Sequence, residues 1–227
     1  MRGVALSRCI NLLFAFAILV HVVHSPSAAQ DPSSPKDKRL KQADFERAAA
    51  ALRCDVAAIY AVAEIESSRG GFLPSGRPVI LFEAHIFSGQ TKGKFDATHP
   101  DLSSPKWNRS LYKGGEKEHD RLDAAMKLDK DAALRSASWG RFQIMGFNHK
   151  AAGYAKLDDF IAAMHESEGK HLDAFVSFLK TNRLDAPLRE KRWTDFAVGY
   201  NGKGQAKNQY DKKLEKAYEK HVKALAK

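Results

Sequence analysis

Cysteine is nearly absent from this 227-residue chain, and what is missing narrows its chemistry before anything present is considered. Cys9 lies in an N-terminal segment with the pattern of a signal peptide. Once that is removed Cys54 is the only cysteine, so no internal disulfide can staple the fold. Cys54 stands between Leu52 and Val56 in an apolar stretch, where a buried structural thiol is the expectation rather than a nucleophile. Histidine is present, but no His-Glu-x-x-His or Cys-x-x-Cys spacing occurs. His165 and His171 stand on either side of Gly169, off any shared helix face, so neither a metal nor another cofactor is expected. No apolar run reaches the ~20 residues that span a bilayer. Internal repeats and low-complexity tracts are missing too, and nothing resembles a nucleic-acid-binding module.

What is present begins with the export signal. Arg2 and Arg8 precede an apolar run from Ile10 to Val20, which His21 and His24 interrupt, and Ser27-Ala28-Ala29 offers small residues for cleavage after Ala29. Residues 1–29 are therefore read as a signal peptide, with a retained membrane anchor as the alternative. Residues 30–40, with Pro32 and Pro35 among polar neighbours, are read as a flexible leader, and 41–227 as one domain. The expected location is secreted or periplasmic by a Sec-type route, with no stable membrane insertion after cleavage. The signal holds Arg2 and Arg8 and no acid, so its loss takes the net charge from +10 to +8. Such a balance calls for an anionic partner. Nucleic acid satisfies that, as do the acidic polymers and peptide carboxylates of a bacterial wall; export favours the wall. A monomer is expected.

The pattern along the domain is mostly helical. Residues 41–53 are Ala-rich with Phe45, Ala48, Ala49 and Leu52 at helical spacing. Asp55 looks like the N-cap of a second helix, 56–66, which Gly70 and Gly71 end. Gly71-Phe72-Leu73 and Val79-Ile80-Leu81-Phe82 flank a Pro-Gly turn and read as a short hairpin. A loop-rich stretch covers 89–115, helices resume over 116–134, and Ser138–Gly146 reads as a glycine-bracketed turn, non-helical in part. Helical patterns follow at 157–168, 171–179, 193–198 and 205–226. The last is amphipathic: Tyr210, Leu214, Tyr218, Val222 and Leu225 form its stripe, and its lysines read as a solvated face with attraction to a wall or membrane surface as the alternative.

The second helix carries two acids. At ~100° per residue Glu66 shares a face with Ile59, Val62 and Ala63, whereas Glu64 lies about opposite. A carboxyl group on an apolar face at a helix end is partly desolvated, which favours its protonated form. Such a group can protonate the leaving oxygen of a glycosidic bond, a tuning for which lysozyme is the standard example. From spacing alone both acids read as ordinary helix-surface residues.

Longer motifs add to this. Ala61-Val62-Ala63-Glu64-Ile65-Glu66-Ser67-Ser68-Arg69-Gly70-Gly71-Phe72-Leu73, followed by Gly76–Phe87 with its Leu81-Phe82-Glu83, resembles the N-acetylmuramidase domain of phage endolysins. Ala137–Gly146 and Tyr200-Asn201-Gly202 are similar to its two later motifs, and the resemblance runs over about 41–222. It implies a mainly α (α+β), lysozyme-like single domain with a small β-hairpin after the catalytic helix. The family belongs to the wider lysozyme and lytic-transglycosylase superfamily.

By this resemblance the substrate is the glycan strand of peptidoglycan, cut at the β-1,4 bond between N-acetylmuramic acid and N-acetylglucosamine. The family's catalytic glutamate, followed by serine at a helix end, maps onto Glu66, with Ser67 beside it. Phe142, Gln143 and Met145 would line the groove, with a core position for Phe142, Ile144 or Met145 as the alternative. Tyr200 and Asn201 would sit near Glu66, with a helix C-terminal cap at Tyr200-Asn201-Gly202 as the alternative. Glu83 is the candidate second carboxylate, ahead of Asp96 and Asp101; pairing with Arg77 or Arg69 is its structural alternative. With no second acid, attack by the sugar's own 6-hydroxyl would give the 1,6-anhydro product of a lytic transglycosylase. A lysozyme-like fold that only binds glycan or an envelope protein is the rival from outside catalysis.

Overall fold

A computed structural model describes residues 38–66, 70–201 and 209–227, with the backbone alone at Asn201. The expectations placed on the signal peptide, the leader as far as residue 37, Ser67 and Gly202 fall outside the described residues, as does any role for the Asn201 side chain.

The chain enters through α1 (Gln42–Leu52) and α2 (Val56–Glu66). The Lys41 amide donates to the Asp44 carboxylate at 2.9 Å at the head of α1, and Arg53 takes a left-handed conformation that stops it. Helix α2 is apolar nearly all round, as a helix enclosed by others must be: Ala58, Ile59, Ala61, Val62 and Ala63 are all buried. Its neighbours are α1 and, from the far end of the chain, α10 (Tyr210–Leu225). The expected N-cap Asp55 has its carboxylate engaged by Tyr218 and Lys191, both at 2.7 Å, and so ties the start of α2 to α10.

The expected hairpin after α2 is present but short. It holds one bridge, Phe72 with Pro78, and the Val79 amide donates to the Gly71 carbonyl at 2.8 Å. The strand that follows, β1 (Ile80–Phe82), finds its main partner far along the sequence. It pairs antiparallel with β2 (Ala137–Trp139), which pairs with β3 (Ile144–Met145), giving the order β1-β2-β3. The Ser138–Gly146 segment is thus a strand–turn–strand whose turn carries positive φ at Gly140 and Gln143. Trp139 and Phe82 are among the largest fully buried side chains.

After β1 come α3 (Ala84–Gln90), a looped segment, α4 (Glu116–Leu128) and α5 (Lys130–Arg135). The single helix expected over 116–134 is broken because Asp129 goes extended and its carboxylate caps α5, accepting from the Ala132 amide at 3.0 Å. Helices α6 (Leu157–Glu166), α7 (Glu168–Thr181), α8 (Asp185–Arg189) and α9 (Trp193–Asn201) complete the fold. One core joins α2, the sheet and α4 to α9, with Phe160, Phe175, Leu172 and Phe196 at its centre. The amphipathic stripe of α10 is partly used: Leu214 is buried and Tyr210 and Tyr218 are half-buried, whereas Val222 and Leu225 stay 41% and 50% exposed. Among the described residues no helix is long and apolar enough to cross a membrane.

Candidate active site

Glu66 is the last residue of α2, and its carboxyl oxygen Oε1 is buried. Two phenols feel its charge. Tyr200, near the end of α9, is pushed well above the ordinary phenol range, first by burial and then by the Glu66 charge. Tyr210, the first residue of α10, is raised by the same two causes in the same order. Both stay neutral at any ordinary pH. Glu66 therefore sits where α2, α9 and α10 meet. Glu64, two residues earlier, points the other way, to an ion pair with Lys220 and a contact with His221 Nε2, both at 2.8 Å.

The end of α2 is held from outside the helix. Arg141, from the β2–β3 turn, donates from Nη2 to the Ala63 carbonyl at 3.0 Å. That is one of the last-turn carbonyls for which the helix has no partner of its own, and a guanidinium there also suits the helix dipole. Its other nitrogen, Nη1, donates to Glu168 at 3.1 Å. Glu168 is buried in the first turn of α7 and gathers more donors: the Gly71 amide at 2.6 Å and the Leu40 amide at 3.0 Å. Beside it, His171 accepts the Arg141 amide on Nδ1 at 3.0 Å and donates from Nε2 to the Met164 carbonyl at 2.8 Å. Burial pushes this imidazole down to about 4, so it is neutral, and its two contacts specify the Nε2–H tautomer. Glycine is obligatory where the chain crosses the ring. A Cβ on Gly71 would lie 2.5 Å from His171 Nδ1, and one on Gly140 2.8 Å from the ring.

A second carboxylate is fixed in a parallel way. Glu83 follows β1 at the head of α3, where its Oε2 accepts the Tyr112 hydroxyl at 2.5 Å and lies 3.2 Å from His85 Nδ1. Burial, then the Glu83 acceptor and its charge, raise the Tyr112 phenol beyond any ordinary pH, so it remains a donor. Beneath them lies the fully buried Glu118, paired with Arg121 at 2.8 Å. Glu118 accepts the amides of Phe82 at 3.2 Å, Lys113 at 2.5 Å and Gly114 at 3.0 Å, while Arg121 donates to the Phe82 carbonyl at 3.0 Å. One ion pair thus binds the residue before Glu83 to the residues after Tyr112. Burial alone would raise the Glu118 carboxyl, but the Gly114 and Lys113 amides, with Arg121, outweigh it and hold the group below its ordinary value.

The family model of N-acetylmuramidase matches residues 55–222, from the start of α2 into α10 and across both carboxylates. The chain belongs to the N-acetylmuramidase family. It is also similar to the crystal structure of a Burkholderia AP3 phage endolysin, at 44% identity and a TM-score of 0.78, covering 85% of this chain and 73% of that one. Comparison with curated proteins gave no match. The muramidase is accordingly a peptidoglycan-degrading glycosidase with the mainly α, lysozyme-like fold of the endolysin.

Other expected site residues of the muramidase fall differently. Phe142 does not line a groove: it is 2% exposed and stacks on Phe175 at 4.5 Å, because the β2–β3 turn folds its ring into the core. Gln143 clamps its turn. Its amide accepts from the Ser138 hydroxyl at 2.7 Å and donates to the carbonyls of Gly140 at 2.8 Å and Val79 at 3.3 Å. Tyr200 is near Glu66, and its hydroxyl donates to the Phe142 carbonyl at 2.7 Å. Met145, half-buried on β3, keeps the groove-lining position open to it. Asp96 stitches its loop through the hydroxyls of Ser88 and Ser103, and Arg77 pairs with Glu116 instead of Glu83. Among the described residues no group of His, Cys, Asp and Glu is arranged to hold a metal.

Proposed function

We propose that this muramidase cleaves the β-1,4 bond between N-acetylmuramic acid and N-acetylglucosamine, with Glu66 as the general acid. The observation that carries the reading is the setting of Glu66. It has a buried carboxyl oxygen at the end of an enclosed helix, beside two phenols that do not ionise. A proton donor must be aimed at the leaving oxygen and kept there, and the Arg141 contact to Ala63 holds the last turn of its helix.

Glu83 is proposed as the second carboxylate, acting on the sugar centre or on the attacking water, as paired acids do in glycosidases. Its orientation by Tyr112 and His85 supports this. Met145 is proposed to line the glycan groove, with Ser67 and Asn201 as further substrate contacts on the strength of family resemblance. Residues 1–29 are proposed to direct the chain to the periplasm or beyond; the N-terminal sequence of the exported protein, expected at Gln30, tests that.

The decisive experiment digests purified peptidoglycan with the wild-type chain and with Glu66→Gln, and reads the products by mass spectrometry. Wild type is expected to release muropeptides with reducing ends. Glu66→Gln is expected to lose about 10²–10⁴-fold in rate, the usual contribution of a general acid. An equally active variant would overturn the assignment of Glu66. Products ending in 1,6-anhydro sugars would convert the reading to a lytic transglycosylase and remove the catalytic role of Glu83.

A further inference from the structure

Trp107 is the most exposed of the large apolar side chains among the described residues, at 60%. The other two tryptophans, Trp139 and Trp193, are buried. An exposed indole ordinarily has nothing to orient it, yet this one is held. Its ring meets Tyr112 edge-on, with centroids 6.3 Å apart and planes at 65°. Tyr112 in turn donates to Glu83, and the Lys113 and Gly114 amides that follow it are fastened by the buried Glu118. One side of Trp107 thus rests against an anchored ring while much of its surface stays in water. Lys106 and Arg109 flank it, both exposed, and neither is in an ion pair among the described residues.

We propose that Trp107 is a sugar-stacking platform that receives one acetamido-sugar ring of the peptidoglycan strand, with Lys106 and Arg109 taking the carboxylates carried by the muramic acid unit. This rests on the reading that the chain acts on peptidoglycan and adds a binding subsite to it. The chemistry matches at each point. The C–H face of a β-linked pyranose is apolar and flat enough to cover an indole, and a pre-oriented ring loses little freedom on binding. The lactyl group and stem peptide of muramic acid are anionic, which suits two uncommitted cations. The occupied platform would lie one residue away from Glu83, through Tyr112. Occupation of the subsite thereby bears on the position of that carboxylate.

The test uses the full chain in the Glu66→Gln background, so that ligand is bound without being cut, and a soluble oligomer of β-1,4-linked N-acetylglucosamine as the probe. Tryptophan emission is expected to shift to the blue and lose accessibility to acrylamide on titration, because only one tryptophan is exposed. Trp107→Ala is expected to abolish both changes. In the Glu66-intact enzyme it is expected to raise KM on peptidoglycan about tenfold while kcat falls less than twofold. Trp107→Phe keeps a face but loses the N–H, and is expected to raise KM less than threefold. Unchanged KM and an unchanged fluorescence response in Trp107→Ala would refute the platform. So would Trp107→Phe behaving like Trp107→Ala, since the indole would then be only a tether for Tyr112. If wild type cleaves no peptidoglycan, the proposed reaction falls while the fluorescence arm still decides the subsite.

Discussion

His171 makes the end of α2 sensitive to acid, and the size of the effect can be worked out. In the folded chain burial holds this imidazole at about 4 against an ordinary 6.5. As pH falls below the ordinary value the unfolded chain takes up a proton that the folded chain refuses, so stability falls with pH in that window. The full difference corresponds to about 3 kcal/mol, and about 2.5 kcal/mol of it is lost between roughly pH 7.5 and pH 4.5. His119 and His165 are also lowered, chiefly by burial, and add loss of the same sign. The His171 share is isolated by His171→Gln, whose amide can accept and donate but cannot titrate. Urea unfolding of both proteins across the range is the measurement. Wild type is expected to lose about 2–3 kcal/mol more than the variant on acidification, with unchanged m-values. Parallel curves for the two proteins would refute the reasoning. So would a wild type that gains stability toward pH 4.5.

Two further outcomes are expected. Arg141→Lys removes the fork that spans Glu168 and the Ala63 carbonyl, since one ammonium cannot reproduce a planar bidentate donor. Breaking the pair is expected to cost about 3 kcal/mol in urea unfolding. Under conditions where the variant is fully folded, kcat should fall about tenfold or more with KM little changed, because small misplacement of a catalytic group is costly in rate. A loss of stability with kcat intact would limit Arg141 to a structural role. Lysis of whole peptidoglycan is also expected to weaken between about 0.05 M and 0.5 M salt, as screening shortens to a few ångströms. The exposed lysines at 212, 213, 216, 220 and 223 on α10 are the charges concerned, and salt-independent lysis would exclude them.

Features carried by local pattern were legible in the sequence. The enclosed α2, the separation of Glu66 from Glu64, the break at the glycines and the amphipathic C-terminal helix all follow from spacing within a dozen residues. What pattern could not supply is pairing between distant segments. Strand β1 reads as half of a hairpin with Gly71–Leu73, yet its ladder is with β2, more than fifty residues later. Family motifs record which residues recur, not which way they face, so the motif puts Tyr200 beside Glu66 but cannot say that Phe142 turns inward. The turn folds Phe142 into the core, and the Tyr200 hydroxyl reaches back to brace it. In the sequence Glu168, Arg141, Glu118 and Arg121 each look like an ordinary helix or turn charge. Only the fold shows that the first two meet across 27 residues and are buried together. The one available cue was the glycine pair ending α2, which signals that something packs closely there without saying what.

These two ion pairs bear on why the chain keeps buried charges at all. A buried Glu–Arg pair seldom adds net stability over apolar residues of the same shape, because both groups lose their hydration. In each pair here, however, the carboxylate and guanidinium reach backbone groups that helix and sheet leave without partners. Glu168 takes the amides of Gly71 and Leu40, and Arg141 takes the Ala63 carbonyl. Glu118 takes the amides of Phe82, Lys113 and Gly114, and Arg121 the carbonyls of Phe82 and Asp101. An apolar replacement would fill the volume and leave those amides and carbonyls orphaned, at about 1–3 kcal/mol each. The pairs are therefore better understood as fasteners for irregular backbone than as sources of attraction. The backbone they fasten runs directly into Glu66 on one side and Glu83 on the other. That explains how two carboxylates borne on a helix end and a strand end can be held in place without regular structure continuing through them.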